Sequence, residues 1–492
     1  MRAEFPIVRH ARLTLSVRSP LSICSGKNEA LVDTALVRDA NGLPVLPGSS
    51  VAGALRSLVA RELGDAAAMD LFGFANRQDG IHLATAARLH FSWGHIHDVN
   101  NRPVDGLVLD RAVLGGDPIL APLLGDKLPH RDHVRLGHRG SRQDKGKFDR
   151  TYVPAGHRFS LDLWLESGPD SDADDQVLWP ALLGLLTQHG LRLGGATRRG
   201  YGEMVFLAGL QCRFDLRAGR QQADDLAAWS VVPVSLAAKL PKGYQPVTAA
   251  GTTLALRNWL KVEIPLQAED FWRVGGGAIS FGQHYEKEAD ARLYSERQVL
   301  WNDDGAGGER ARLDQPRPVL PGASIKGALA HRTAFHAHRL AGRWADGSVA
   351  MVAPDTPCEE VQSLFGLIAN TDSEGQSDGL AGRIFISDVR LSETGKVQLL
   401  QHNSLDRFTG GVRKGMLFSE EALFRTDITL CLEIDTRSIS LKARQAFRLA
   451  LEDLRNGRLP LGSGHAKGHG YFRGHALPKP LLDWLNETGV SA

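Results

Sequence analysis

The feature that most constrains what this chain can fold into is a phrase that occurs twice. Leu43 to Arg56 reads L-P-V-L-P-G-S-S-V-A-G-A-L-R, and Arg317 to Ala330 reads R-P-V-L-P-G-A-S-I-K-G-A-L-A, 274 residues further along a chain of 492. Leu71-Phe72-Gly73 follows the first copy and Leu364-Phe365-Gly366 the second. Each half also closes on a glycine-rich segment, L-G-G-A-T-R-R-G-Y-G-E-M-V-F from Leu193 and L-G-S-G-H-A-K-G-H-G-Y-F-R-G from Leu461. Three landmarks in one order, twice, mark a tandem duplication. Two domains of roughly 210 to 240 residues fit the length. We place them at 1–217 and 252–492, with 218–251, rich in alanine, glycine, proline and mixed charge, as the junction.

Composition narrows the class. The net charge is only +2, which excludes a protein basic throughout but not one with a local basic stripe. The four cysteines, Cys24, Cys212, Cys358 and Cys431, are far apart with no C-x-x-C pair. That argues against a zinc ribbon and a disulfide framework, and makes a reducing cytosol the natural compartment. The chain begins M-R-A-E-F-P-I-V-R-H without a signal-peptide apolar run. No stretch of about 18 apolar residues is present, so no membrane span is expected.

Periodicity gives the same element order in both halves. Alternating residues predict strands at Ala11 to Val17 and Leu260 to Leu266. The repeated phrase then starts a helix, with Ser49 and Ser50, or Ser324, as N-caps. Val51, Leu55, Leu58 and Val59 give the first helix its apolar stripe, and Ile325, Ala328, Leu329 and Phe335 the second. Strands at Phe159 to Leu165 and Ile428 to Ile434, helices at Val177 to His189 and Lys442 to Arg455, and a closing strand at Glu203 to Phe206 follow. The fold class is α+β, two tandem split-βαβ, ferredoxin-like domains with decorations.

Three groups of residues carry candidate chemistry. In the phrase, a Pro-Gly turn places Gly48, Ser49 and Ser50, or Gly322 and Ser324, at a helix N-terminus, with Arg56 and Lys326 close by. That suits a phosphate, and it equally suits a plainly capped helix. The glycine-rich segments hold Arg198, Arg199 and Tyr201, or His465, Lys467 and His469. They lack the ending of a Walker A loop and no strand leads directly into them as in a Rossmann fingerprint. Cations among glycines fit a nucleic-acid backbone, or a simple turn. The third group is two basic loops. His138 to Arg150 contains Arg139, Arg142, Lys145, Lys147 and Phe148; His402 to Lys414 contains Asn403, Arg407, Phe408, Arg413 and Lys414. Basic residues around a phenylalanine can grip phosphates and wedge a base, although charge runs are usually solvated loops. Asp33 and Asp39 flank a short predicted strand, Thr34 to Arg38, and a lone loop aspartate is most often a turn residue.

Together these residues resemble the RAMP superfamily, and within it the backbone subunits of type III CRISPR effector complexes. The resemblance rests on L-P-G-S-S-V-A-G-A-L-R at Leu46 to Arg56, the L-F-G after it, and G-G-A-T-R-R-G-Y-G at Gly194 to Gly202. It covers most of both halves and looks like a fusion of two backbone subunits, as in type III-D variants. It implies RRM-like RAMP domains with β-hairpin thumb insertions, stacked on CRISPR guide RNA beside a large polymerase/HD subunit and other backbone and small subunits. Each thumb would flip a target-RNA nucleotide, and a loop aspartate would help cleave target RNA beside it with a divalent metal, Mg²⁺ or Mn²⁺. In that family the aspartate precedes a second one by six residues, so the resemblance marks Asp33, ahead of Asp39, as catalytic residue and metal ligand. Asn403 to Thr409 resembles the family's thumb stretch. In the first half Asp132 to Leu136 is a looser counterpart, and the RNA grip falls to Arg135 through Arg150.

The second half departs from the pattern between Gly277 and Pro321. Asn302-Asp303 set against Arg38-Asp39 brings Glu296 beside the catalytic position; Asp314 set against Asp39 brings Glu309 near it; A-D-A-R-L resembles V-D-T-A-L and brings Asp290 there. Asp290, Glu296 and Asp303 are therefore the candidates in that half, which is either a second cutting site or an RNA-binding copy without one. Ala330 stands where the first phrase has Arg56. The other readings are a guide-RNA scaffold that does not cut, and a guide-processing endoribonuclease using His465 or His469 without metal.

Overall fold

The alternation at Ala11 extends to an eleven-residue strand, and the rest of the first half winds around it. The computed structural model describes residues 4–26, 33–78, 81–125, 127–137, 142–231, 243–248, 258–281, 288–305, 308–343, 358–367, 379–391 and 396–487. The strand β1 (Ile7–Val17) leads to helix α1 (Gly48–Glu62), then to an edge strand β2 (Leu89–Phe91). A projecting hairpin of β3 (His130–Leu136) and β4 (Arg142–Thr151) precedes β5 (Arg158–Ser167), α2 (Asp172–His189) and β6 (Glu203–Asp215). The sheet order is β6-β1-β5-β2, with each of these pairs antiparallel. In register, Leu13 lies between Leu161 and Gly209. Leu13, Leu15, Leu161 and Leu163 meet Val51, Leu55 and Val59 of α1 and Leu182 and Leu186 of α2 in one core.

The second half repeats this topology. It contains β7 (Trp259–Ala268), a hairpin of β8 (Val299–Asp303) and β9 (Glu309–Leu313), α3 (Gly322–Leu340), β10 (Ile384–Ile386), a second hairpin of β11 (Val397–His402) and β12 (Phe418–Phe424), β13 (Asp427–Asp435), α4 (Leu441–Arg455) and β14 (Phe472–Gly474). Its sheet order, β14-β7-β13-β10, matches β6-β1-β5-β2 strand for strand. Both halves are ferredoxin-like.

Several local expectations change. The serines of the phrase do not cap. Helix α1 starts at Gly48 after an extended Pro47, α3 starts at Gly322 after Pro321, and neither start has a side-chain cap. Proline sets the entry, and glycine is required next because a Cβ at Gly48 would lie 2.9 Å from the carbonyl oxygens of Phe91 and Ser92. Thr34 to Arg38 forms only isolated bridges, Cys24 to Leu36 and Arg38 to Pro44. Phe335 is exposed, so the apolar stripe of α3 is narrower than its spacing predicted. The basic run ending at Arg150 is largely strand β4 rather than loop. In the stretch 218–251, the described residues include a helix, Arg220–Ala227, and Gln245–Pro246 pairs with β6. Trp229 is buried there against Leu210 and Phe214.

The extra residues between Glu296 and Arg317 form the β8–β9 hairpin, which crosses onto the first domain. Val299 N–H donates to Ala155 O at 2.9 Å and Ala311 N–H to Val99 O at 2.8 Å. Trp301 Nε1 donates to Gly156 O at 2.7 Å, and the Arg158 guanidinium lies 4.1 Å from the Trp301 ring centre. Gly156 has φ +90°, and a Cβ there would come within 1.9 Å of Val299 O. Val299 and Ala311 belong to the first domain's apolar core, so the two domains share it.

Burial pushes the His97 imidazole down to about 4 and that of His157 to about 3. Both are neutral in the folded chain until the pH falls that low, whereas unfolded histidine takes up a proton near 6.5. The unfolded state then binds more protons, so stability falls as pH drops from about 6.5 towards 4. Thermal unfolding followed between pH 7.5 and 5 is expected to give a falling midpoint, and a flat profile over that range would count against the burial of these rings.

Candidate nucleic-acid interface

Hydrogen bonds align the two halves residue by residue. Asp33 N–H donates to Asp149 Oδ1 at 2.8 Å, and Asp149 N–H returns a bond to Asp33 Oδ2 at 2.9 Å. In the second half Asp290 N–H donates to Ser419 Oγ at 3.2 Å, and Ser419 N–H to Asp290 Oδ2 at 2.8 Å. Asp290 is thus the positional counterpart of Asp33, and both are exposed. The bridges Cys24 to Leu36 and Gly275 to Leu293, and Arg38 to Pro44 and Ser295 to Pro318, extend the same register. Glu296 therefore stands where Asp39 stands, six residues after its aspartate, as in the first half. His133 stacks on Phe148 at 5.1 Å and His402 on Phe418 at 5.0 Å, which aligns the hairpins.

Around the glycine-rich turn the first domain gathers cations. Arg150 follows Asp149 in β4 and lies over the glycine-rich turn: a Cβ at Gly195 would be 2.6 Å from its Nη1. Its other neighbours are Ser22 Oγ at 3.4 Å and Cys24 Sγ at 3.5 Å. Arg199 rises from the same turn. Burial first, then the charges of Arg150 and Arg135, hold its guanidinium below the usual arginine range. Among the described residues no carboxylate pairs with Arg135, Arg150 or Arg199. His133 is held down to about 4 by burial and then by Arg131, Arg150 and Arg199, so it is neutral at pH 7 and joined to Tyr201 Oη at 3.0 Å. The result is a group of guanidiniums without a carboxylate partner among the described residues, one of them, Arg150, carried by the same hairpin strand as the Asp149 that bonds Asp33. Such a group attracts a phosphate with charge-assisted hydrogen bonds.

The second domain has the same scaffold and different charges. Glu420 occupies the position of Arg150, and Ser419 that of Asp149. Glu420 is 5% exposed. It accepts from Arg273 Nη1 at 2.7 Å and pairs with His402 Nε2 at 2.7 Å, with Lys467 Nζ 3.5 Å away. Lys467 is the counterpart of Arg199.

The remaining candidates divide between this cleft, the surface and the interior. Ser49 and Ser324 are exposed on the first turns of their helices, Arg56 is exposed two turns further along the first, and Ser50 is half-buried. Gly322 is not open to a phosphate, because its N–H donates to Asp388 Oδ1 at 2.7 Å and a Cβ on it would meet Gly200 Cα at 3.1 Å. Lys326 bonds Phe365 O at 2.7 Å and is pushed down to about 8 by burial and then by Arg199 and Arg198. Arg198 turns away from the cleft, bonding Gly382 O and lying 4.8 Å over Phe385 of the second domain. Tyr201 is fully buried, so it supports the cleft instead of lining it. On the first hairpin Arg135 and Arg142 are exposed, and Lys147 lies 3.7 Å from Asp132. Arg139 and the side chain of Lys145 lie outside the described residues. On the second, Asn403, Arg407, Arg413 and Lys414 are exposed around Phe408, which is 95% exposed. Asp406 holds that turn by accepting from the N–H groups of Phe408 and Thr409. His465 is exposed in the second glycine-rich turn.

Of the other two acids proposed for the second half, one is exposed but lies on the inserted hairpin and one is buried. Asp303 ends β8, far along the inserted hairpin, and accepts from Gly305 N–H at 2.8 Å. Glu296 is 4% exposed and bound to Arg131 at 2.5 and 2.9 Å. Arg131 also reaches Asp388 at 2.7 Å, which closes a buried triad between the base of the first hairpin and the start of α3. Asp149, Arg131, Asp388 and Glu420 were missed from the sequence. The signal for Asp149 and Glu420 was present in F-D-R against F-S-E, legible once Phe148 is paired with Phe418.

Among the described residues no three His, Cys, Asp or Glu side chains come together as a metal site. Asp33 and Asp149 supply two neighbouring carboxylates, and a divalent cation bound there would take its other oxygen ligands from phosphate and water. Among the described residues no helix is long and apolar enough to cross a membrane.

Fold and cleft together define a duplicated ferredoxin-like protein with an anion-attracting groove between hairpin and glycine-rich turn. The RAMP superfamily matches this chain over residues 14–205 and again over 271–473. The protein therefore belongs to the RAMP superfamily, whose members are CRISPR-associated RNA-binding proteins. A search of the curated proteins finds no match.

The triad gives a stability prediction. Arg131→Met removes the cation that Glu296 and Asp388 share, leaving among the described residues only Arg390 at 3.7 Å from Glu296, and is expected to cost about 3–5 kcal/mol. The triple replacement Arg131→Met, Glu296→Leu, Asp388→Leu should come much closer to wild type. Denaturant unfolding of both variants measures the difference, and a single variant as stable as the triple would contradict it.

Proposed function

We propose that this chain is a backbone subunit of a type III CRISPR effector complex that holds guide RNA and cuts the paired target RNA at Asp33. The observation that supports the reading is the reciprocal Asp33–Asp149 pair on the hairpin strand whose next residue, Arg150, lies over the glycine-rich turn of Arg199. A phosphodiester drawn to the guanidiniums would lie next to the two carboxylates. Asp33 and Asp149 would hold a divalent metal, which would supply Lewis-acid polarisation of the phosphate. The guanidiniums would orient the RNA backbone, and the exposed Phe408 and its basic neighbours would wedge against bases. Sequence would be chosen by base pairing, with the protein reading backbone and shape. The partners on this reading are guide RNA, target RNA and the other type III subunits.

The test uses the assembled complex with matched target RNA. Asp33→Ala is expected to reduce one cut by about 100-fold or more while target binding stays intact. Chelation with EDTA should stop the same cut. An unchanged cut pattern in Asp33→Ala would leave the chain as a scaffold, and cutting that survives EDTA would point to the metal-free guide-processing chemistry.

A further inference from the structure

The two clefts share their backbone, their histidine–phenylalanine stack and their aspartate, and their charges diverge most at one pair of adjacent positions on the hairpin. The first has Asp149-Arg150 and the second Ser419-Glu420. We propose that Glu420 is a resident carboxylate that takes the place of an RNA phosphate, so that the second cleft is closed to the RNA backbone while the first is open. This deepens the proposed function and rests on its reading that the first cleft holds RNA.

Geometry carries the inference. The alignment is fixed on both sides of Glu420. Phe148 and Phe418 stack on equivalent histidines, and Asp149 and Ser419 trade equivalent bonds with Asp33 and Asp290. The opposite wall aligns as well: Gly195 N–H donates to Ser22 O at 2.8 Å and Ser463 N–H to Arg273 O at 2.9 Å. Ser22 beside Arg150 thus becomes Arg273 beside Glu420. In the first cleft Arg150 faces a serine and a cysteine, and its charge and that of Arg199 repel each other until an anion arrives. In the second, one buried carboxylate already engages Arg273, His402 and Lys467. A phosphate entering there would meet a like charge and would have to displace bonds of 2.7 Å. Ser419 also removes the second carboxylate that Asp149 gives Asp33, so Asp290 keeps the position of the catalytic aspartate without the neighbours that would bring it a phosphate.

The inference is tested on the full chain by titrating a guide-length single-stranded oligoribonucleotide at several salt concentrations. Arg199→Ala should weaken binding by about tenfold at moderate salt and lower the slope of log K against log salt by about one. Its counterpart Lys467→Ala should stay within about twofold of wild type with nearly the same slope, because Glu420, 3.5 Å from its Nζ, already offsets part of its charge and stands where the phosphate would bind. Glu420→Gln, which keeps the shape and removes the charge, should tighten binding several-fold and steepen the slope. Equal losses in Lys467→Ala and Arg199→Ala would overturn the proposal, as would Glu420→Gln binding no tighter than wild type while keeping its thermal midpoint. Should Glu420→Gln fail to fold, the lysine–arginine pair decides alone. A wild-type chain that does not bind RNA would defeat the RNA-binding reading itself, a result distinct from either of these.

Discussion

The buried Arg131 guanidinium sets the arrangement on which the cleft depends. It donates to Glu296 and Asp388 of the second domain from the base of the first domain's hairpin, between the rings of Tyr152 and Tyr201. Taking charged groups out of water is costly, and burial, with the Glu296 charge, raises the Asp388 carboxyl although Arg131 is bound to it. Burial alone would raise the Glu296 carboxyl, yet Arg131 holds it below its ordinary range. The same contact fixes three things at once: the angle of the hairpin that carries Arg150, the seat of the glycine-rich turn that carries Arg199, and the covered start of α3. The counterparts of Arg131, Glu296 and Asp388 elsewhere in the chain are Leu400, Asp39 and Trp93. The triad therefore exists once, between the halves. It is a heterologous contact, made of different surfaces on two copies of one fold.

Duplication gave two domains one backbone plan, and the halves then diverged in charge more than in shape. The positions of Asp33, His133, Phe148 and Gly194 all have counterparts in the second half that make the same local contacts. What changes is which charge sits on the hairpin strand and whether a neighbour already neutralises it. The second phrase changed in another way. Its helix start became an interdomain contact: Gly200 of the first domain lies where a Gly322 side chain would be, and Asp388, which accepts from the Gly322 N–H, is bound by Arg131.

Much of this was legible in the sequence. The period-two strands at Ala11 and Leu260, the phrase helices and the closing glycine-rich segments gave the ferredoxin-like order of both halves, because apolar periodicity and Pro-Gly turns act locally. Asp33 was singled out by resemblance alone, since nothing local separates it from a turn residue. The register of the second half was not legible: the inserted β8–β9 hairpin shifts the spacing, and the bonds of Asp290 to Ser419 fix it together with the pairings of Leu293 and Ser295. The serine caps were misread because Pro47 and Pro321 occupy the cap position themselves. Arg198 and Gly322 looked like parts of an RNA grip because charge and glycine read alike at a ligand site and at a domain contact. Arg131, Glu296 and Asp388 are far apart in sequence, and each alone resembles a surface residue.

The central claim is that the RNA backbone is held by the first cleft and excluded from the second. A structure of the chain assembled with guide and target RNA tests it most directly. The account predicts a backbone phosphate bonded to Arg150 and Arg199 beside Asp33, and Glu420 still bonded to Arg273 and His402 with no phosphate at Lys467. A phosphate bonded to Lys467 in place of Glu420, or an RNA path that bypasses Arg150 and Arg199, would contradict it.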